Sequence, residues 1–302
     1  QKIKEKEEIS MEFRELNLSE IDKNLTEQER EEWQSIYASY RGSSLVTGEV
    51  AGVDLHEANY VPKGEKNSVR KTIRCLIIIN YRVKVIIPET EVFLTDMETS
   101  YHILHSMCGA KISYVITHID REAGFAIASR KIALENMLKA YAKRPIKPGQ
   151  VIDVDVIAVG KNVCTVSYHG YDVMLPQKEV SYSMVPDLRE LIKPGDTKKA
   201  VVKQFDKKER KLVLSIKETT PHPFDGIEMR HPVGSTRIAN IVGKYGGGIF
   251  CRLSDNITDV LCSYAYIQED TNFKIGDKVE IVIRRHNDEK KLVYGKILRK
   301  LY

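Results

Sequence analysis

PGDTKKAVVKQFDKKERKLVLSIK, residues 194–217, is the stretch on which the fold turns. A glycine opens it, an alternating run follows, Asp206 begins a charged turn and a second apolar run closes it, the pattern of a β-hairpin. The same plan recurs in CGAKISYVITHIDREAGFAIASRK (108–131) and IGDKVEIVIRRHNDEKKLVYGKI (275–297). The opening glycines Gly109, Gly195 and Gly276 precede the turn residues Asp120, Asp206 and His286 by 11, 11 and 10 positions. A small residue, Ser129, Ser215 or Gly295, follows nine positions after each. Chance rarely repeats such offsets three times, so the chain reads as tandem repeats.

Upstream of the hairpins, CLIIINYRVKVIIPETEV (75–92) aligns with VCTVSYHGYDVMLPQKEV (163–180) at a constant shift of 88, placing Pro88 on Pro176 and Glu91 on Glu179. Each stretch reads as two strands around a tight turn, at Asn80-Tyr81 and at His169-Gly170, with proline ending the second strand. First strands are visible in LVTGEVAGVDL (45–55), GQVIDVDVIAVG (149–160) and GSTRIANIVGKY (234–245). Five strands in roughly 70–90 residues, with a short helix between the third and fourth, describe a small closed barrel of the oligonucleotide-binding type. The expected fold is therefore mainly β: three tandem five-stranded barrels behind a helical N-terminal segment. The expected boundaries are an acidic helical segment at 1–42, a first barrel at 43–132 with an insertion near 56–72, and a helical linker at 133–148. A second barrel follows at 149–221 and a third, divergent one at 222–302.

The net charge of +5 hides an asymmetry: residues 1–41 carry 7 Lys/Arg against 11 Asp/Glu, the remainder 40 against 31. A basic body behind an acidic segment suits a polyanionic partner, or an ordinary solubilising surface. No apolar run approaches the roughly 20 residues of a membrane span, and QKIKEKEEIS lacks a signal-peptide core. A cytoplasmic protein without a membrane partner is expected. The five cysteines (75, 108, 164, 251 and 262) sit apart in apolar, strand-like surroundings and read as reduced core residues. His102 and His105 share a helical spacing but no carboxylate or cysteine partner is evident nearby, so neither a metal nor another cofactor is expected. His222 and His231 stand beside prolines in a linker, Asp153 and Asp155 share one strand face, and no nucleophile has a credible base. The expected protein is not an enzyme.

The order GQVIDVDVIAVGKN, DVMLPQKEVSY and KPGDTKKAVVKQFDKKERKLVLSIK in the middle unit resembles the RNA-binding repeat of the ribosomal protein S-one type. The resemblance covers about four-fifths of the chain and is clearest at 149–219. It implies single-stranded RNA binding on the open face of each barrel. In KYGGGIFCRL (244–253) the family's stacking positions fall on Tyr245 and Phe250, with Arg252 on the same face as Phe250. Stacking contributes about 1–3 kcal/mol per base and tolerates any base, while a guanidinium holds phosphate. Two alternatives stay open: Phe250 inside the barrel, and Tyr245 capping its end. A phosphate loop would need GxxxxGK[ST] before a helix, and here a strand follows. The family's last-turn contacts carry over to Asp206 with Lys211, and in the third copy to Lys291. The middle copy lacks the usual second-strand aromatics and offers Lys161, with Tyr168 and His169 at the next turn. In the first copy Arg82 and Lys84 share a strand face, as a phosphate-contacting pair or a solvated edge.

NLTEQEREEWQSIYASYRG (24–42) carries helix signals from Thr26 with Glu29 to Gly42, and Trp33, Ile36, Tyr37 and Tyr40 form one apolar stripe. That stripe either packs on the neighbouring barrel or docks a protein partner. A second helix, 129–144, is expected as a spacer between the first two units. The expected function is non-enzymatic binding of single-stranded RNA, messenger or ribosomal, in bacterial translation or RNA handling. The rival readings are a scaffold subunit of a larger complex and a binder of single-stranded DNA.

Overall fold

The computed structural model describes residues 26–60, 69–80, 83–94, 101–207, 209, 211–245, 248–263 and 272–301. The first barrel comprises β1 (Val46–Tyr60), β2 (Val69–Asn80), β3 (Val83–Pro88), β4 (Lys111–Asp120) and β5 (Phe125–Ser129). It closes in the order β1-β2-β3-β5-β4, with a parallel β3–β5 pairing. The middle unit has β6 (Val151–Val159), β7 (Val163–Tyr168), β8 (Tyr171–Pro176), β9 (Thr197–Asp206) and β10 (Lys211–Ser215) in the same order. No ladder joins β8 to β10 there; a one-turn helix after Pro176 spans the gap, and Ile216 N–H donates to its Glu179 carbonyl at 2.9 Å. The third barrel, β11 (Thr236–Tyr245), β12 (Gly248–Leu253), β13 (Asp259–Ser263), β14 (Lys278–Asn287) and β15 (Leu292–Leu301), closes like the first.

Alternation builds each core. On β6, Ile152, Val154 and Val156 point inward while Asp153 and Asp155 face out, and three such clusters fill the three units. The cysteines are unpaired and all but Cys108 are buried; burial pushes the Cys75 and Cys164 thiols up to about 11.

The opening glycines explain the repeat. Gly109, Gly195 and Gly276 hold φ of +87°, +89° and +93°, and each donates its N–H at 2.8 Å to a first-strand carbonyl, of Val50, Val156 or Ile241. Each acceptor lies at a break in strand register, so one glycine per unit fixes the bulge that bends the first strand around its barrel. The turn carboxylates are structural: Asp120 and Asp206 accept the N–H groups of Ala123 and Glu209. In the third unit Asn287, not His286, does this, accepting from Lys290 N–H at 2.8 Å, which makes the glycine-to-turn spacing 11 in all three. The small position shifts likewise, from Gly295 to Lys296, which pairs with Val282 as Ser129 pairs with Val115. His286 instead donates to the His231 carbonyl.

The expected insertion near 56–72 is a lengthening of β1 and β2, whose ladder runs out to the Tyr60–Val69 pair. Helix α1 (Glu27–Gly42) lays Trp33, Ile36 and Tyr37 into the first barrel's core, leaving Tyr40 42% exposed. The buried Ser39 hydroxyl accepts from Ile116 N–H at 3.0 Å and donates to the Ser44 carbonyl, satisfying the backbone where β4 bulges. The docking reading of this stripe is therefore corrected: three of its four residues are occupied by the barrel.

Helix α2 (Tyr101–His105) lies between β3 and β4. Helix α3 (Arg130–Tyr141), capped by Ser129, is less a spacer than a clamp. Arg130, 1% exposed, makes a two-pronged pair with Asp172 of β8 at 2.7 and 2.8 Å and donates to the Val92 carbonyl. Gly170 lies so close to α3 that a Cβ there would sit 2.6 Å from the Leu134 carbonyl oxygen, and Val159 N–H reaches the Ser106 carbonyl at 3.1 Å.

Candidate nucleic-acid interface

On β12, Ile249, Cys251 and Leu253 are buried while Phe250 and Arg252 point outward, opposite Leu261 and Asp259 of β13. Phe250 is therefore not a core residue. Tyr245 ends β11, opposite Gly248; its side chain lies outside the described residues.

Arg252 is not presented to a ligand. Its Nε donates to Asp259 Oδ1 at 2.8 Å and its Nη2 to Oδ2 at 3.1 Å, and Nη2 also donates to the Met184 carbonyl in the middle unit. Asp259 in turn accepts the Met184 N–H, and Ser183 Oγ donates to the Ile257 carbonyl at 3.0 Å. The pair fastens the segment after β8 to the third barrel.

Beside this fastening lies a cleft of about 610 Å³ shared by the two units. Lys178 and Lys217 enter from the middle unit, Lys290 and Lys291 from the β14–β15 turn. Among the described residues none of the four is paired with a carboxylate. Three rings join them: Phe250, Tyr182 of the middle unit and Phe224 of the connecting segment. Lys217 Nζ stands 5.2 Å from the centre of the Tyr182 ring, whose other neighbour is His222 at 4.3 Å. His222 Nδ1 accepts from Phe224 N–H at 3.0 Å; burial and then Lys291 push its pKa down, leaving the ring uncharged at neutral pH. Asp259, the carboxylate of the lining, is neutralised by Arg252.

The connecting segment is fixed from the other side. One-turn helix Ile227–Arg230 leads to His231, whose Nδ1 accepts from Arg237, leaving Nε2 to donate to Asp255 at 3.0 Å. Burial raises the Asp255 pKa, but hydrogen bonds from Thr258 and His231 outweigh it and hold the carboxyl at about 2.

The remaining predicted residues do not converge on this cleft. The His169-Gly170 turn has φ of +44° and +95°, as a two-residue hairpin requires. It packs His169 on Tyr141 of α3, ring centres 3.6 Å apart and 11° from parallel, with Tyr168 tilted against the His169 ring. His169 therefore belongs to the junction with the first barrel, while Tyr168 packs on the core of its own unit. Asp206 caps its own turn; Lys211 and Lys161 are exposed on the middle unit. Lys84 pairs with Asp54 at 3.2 Å, both half-exposed, while Arg82 lies outside the described residues. His102 and His105 are exposed on α2, and no group of three metal-ligating side chains occurs among the described residues. The sequence reading missed Lys178, Tyr182, Lys217, His222 and Phe224. Their signal was weak: two lie in a proline-rich connector and three flank strands whose contact with the third barrel no local pattern announces.

Three five-stranded sheets of one strand order, two of them closed barrels, define a tandem oligonucleotide-binding-fold protein. Residues 146–217 match the model of the S1 RNA binding domain family, and the middle unit is an S1-type domain. Over 260 residues the chain is 25% identical to the 4-hydroxy-3-methylbut-2-enyl diphosphate reductase of Clostridium tetani, covering 81% of this chain and 40% of that protein. It is 23% identical over 194 residues to small ribosomal subunit protein bS1 of Rickettsia typhi (61% of this chain, 34% of that one). Against the bS1 of Chlamydia trachomatis it is 36% identical over 110 residues, 34% of this chain and 19% of the relative. The chain thus spans two fifths or less of these relatives' lengths.

Proposed function

We propose that this chain binds single-stranded RNA, without catalysing its conversion, in the translation or RNA-handling machinery of a bacterial cytoplasm. The observation that carries the reading is the outward-facing Phe250 beside Lys290 and Lys291: a stacking platform next to cations suits bases and phosphates together. The S1 match of the middle unit and the bS1 relatives support the choice of RNA and of a ribosomal or messenger partner. The lining of the cleft favours binding over chemistry, since cations and rings dominate it and its carboxylate is already neutralised. No helix among the described residues is long and apolar enough to cross a membrane.

The test is fluorescence anisotropy of a labelled, unstructured RNA of about 20 nucleotides, long enough to cover more than one barrel, competed with the matched RNA and DNA. Micromolar or tighter binding, displaced better by RNA than by DNA, supports the reading. Equal displacement favours a general single-strand binder. Absence of binding at low salt leaves the barrels as protein-interaction modules.

A further inference from the structure

We infer that the cleft between the middle and third units is one composite site, half from each, that grips a short stretch of a single RNA strand with phosphates on its lysines and bases on its rings. This rests on the RNA-binding reading above and extends it, because the middle unit contributes through the segments after β8 and β10, not through its β7–β8 turn.

Charge is the first argument. Lys178 and Lys217 approach from one side, Lys290 and Lys291 from the other, and no described carboxylate neutralises them. Four cations around one concavity repel one another and gain most from a ligand that carries a phosphate every residue. The rings give the second argument, since Tyr182 and Phe250 come from opposite units and stack bases without regard to sequence. Fixed spacing is the third. Arg252 and Asp259 hold the Met184 backbone, so the two halves are set at their separation before a ligand arrives. At about 610 Å³ the cleft has the size of ordinary ligand sites. Arg252 is thus a positioning residue.

The experiment compares the full chain with the double variant Lys178→Gln, Lys217→Gln, with Phe250→Ala and with Arg252→Gln, each titrated with labelled unstructured RNA across a salt series. Thermal melting verifies that each variant is folded. Loss of two phosphate contacts should lower the magnitude of the log affinity against log salt slope by about 1.4, or 0.7 per contact on a single strand. Arg252→Gln leaves Asp259 unneutralised in the lining and should weaken binding; adding Asp259→Asn should return the slope to the parent's while affinity stays low, as befits a residue that sets geometry. The inference is overturned if the lysine variant binds with the parent's affinity and slope while Phe250→Ala weakens binding, for the third barrel then acts alone. If the parent chain itself fails to bind RNA at low salt, the RNA-binding reading falls and the inference with it.

Discussion

The first and middle units meet through a filled junction, and the middle and third units through an open one. At the first junction Arg130 is buried in a two-pronged pair with Asp172, Tyr141 stacks on His169, and Gly170 lies against the backbone of α3. At the second, a single fastening of Arg252, Asp259 and Met184 stands beside a lysine-lined cleft. Two junctions in one chain, built from units of one fold, are thus used differently: one removes polar groups from water, the other leaves cations facing it. Fold resemblance and site equipment also separate, because the unit matching the S1 family has spent its turn aromatics on packing, while the divergent third barrel keeps an outward Phe250.

Four measurements separate the two junctions. The largest effect is expected at the filled junction. Replacing Arg130 with Met strands the Asp172 carboxylate and the Val92 carbonyl, and should cost about 3–5 kcal/mol of unfolding free energy in urea. Adding Asp172→Leu should recover much of it. A cost near zero for the single variant would show that the junction is not held there. Next comes acid sensitivity at the connector of the open junction. With its folded pKa at about 2, below the ordinary value of 3.8, Asp255 contributes stability that is fully present above pH 4 and lost as pH falls through 2. The contribution is on the order of 2 kcal/mol, and the difference between wild type and Asp255→Asn should therefore shrink over that window. RNA affinity follows: Phe250→Ala should weaken binding roughly tenfold, within the range for one lost stack. The smallest effect is expected from His169→Ala, which should leave RNA affinity within about twofold, because its ring serves the first junction; a larger loss would move the binding face to β7–β8.

The barrels were legible in the sequence because their bends depend on backbone geometry that only a few residues supply. A glycine at positive φ every time the first strand bulges leaves a spacing that survives divergence elsewhere, as Gly109, Gly195 and Gly276 show. In the third repeat the turn position is Asn287 rather than His286, and with it Lys296 rather than Gly295, because asparagine caps a turn as aspartate does and carries no charge to mark it. The outward direction of Phe250 followed from strand alternation once β12 was placed. What alternation cannot report is which exposed residue meets another unit. Strand and turn position alone point Arg252 and His169 at a ligand, because their partners Met184 and Tyr141 lie 68 and 28 residues away in the chain. For the same reason the connector PHPFDGIEMRHP gave no sign that Phe224 and His222 line a site.

Photocrosslinking of the full chain to an unstructured RNA carrying 4-thiouridine, with the attached peptides mapped by mass spectrometry, locates the bound strand directly. Attachment is expected at peptides bearing Tyr182 and Phe250, from both sides of the open junction. Attachment confined to the β7–β8 turn, around Tyr168 and Tyr171, would contradict the composite site.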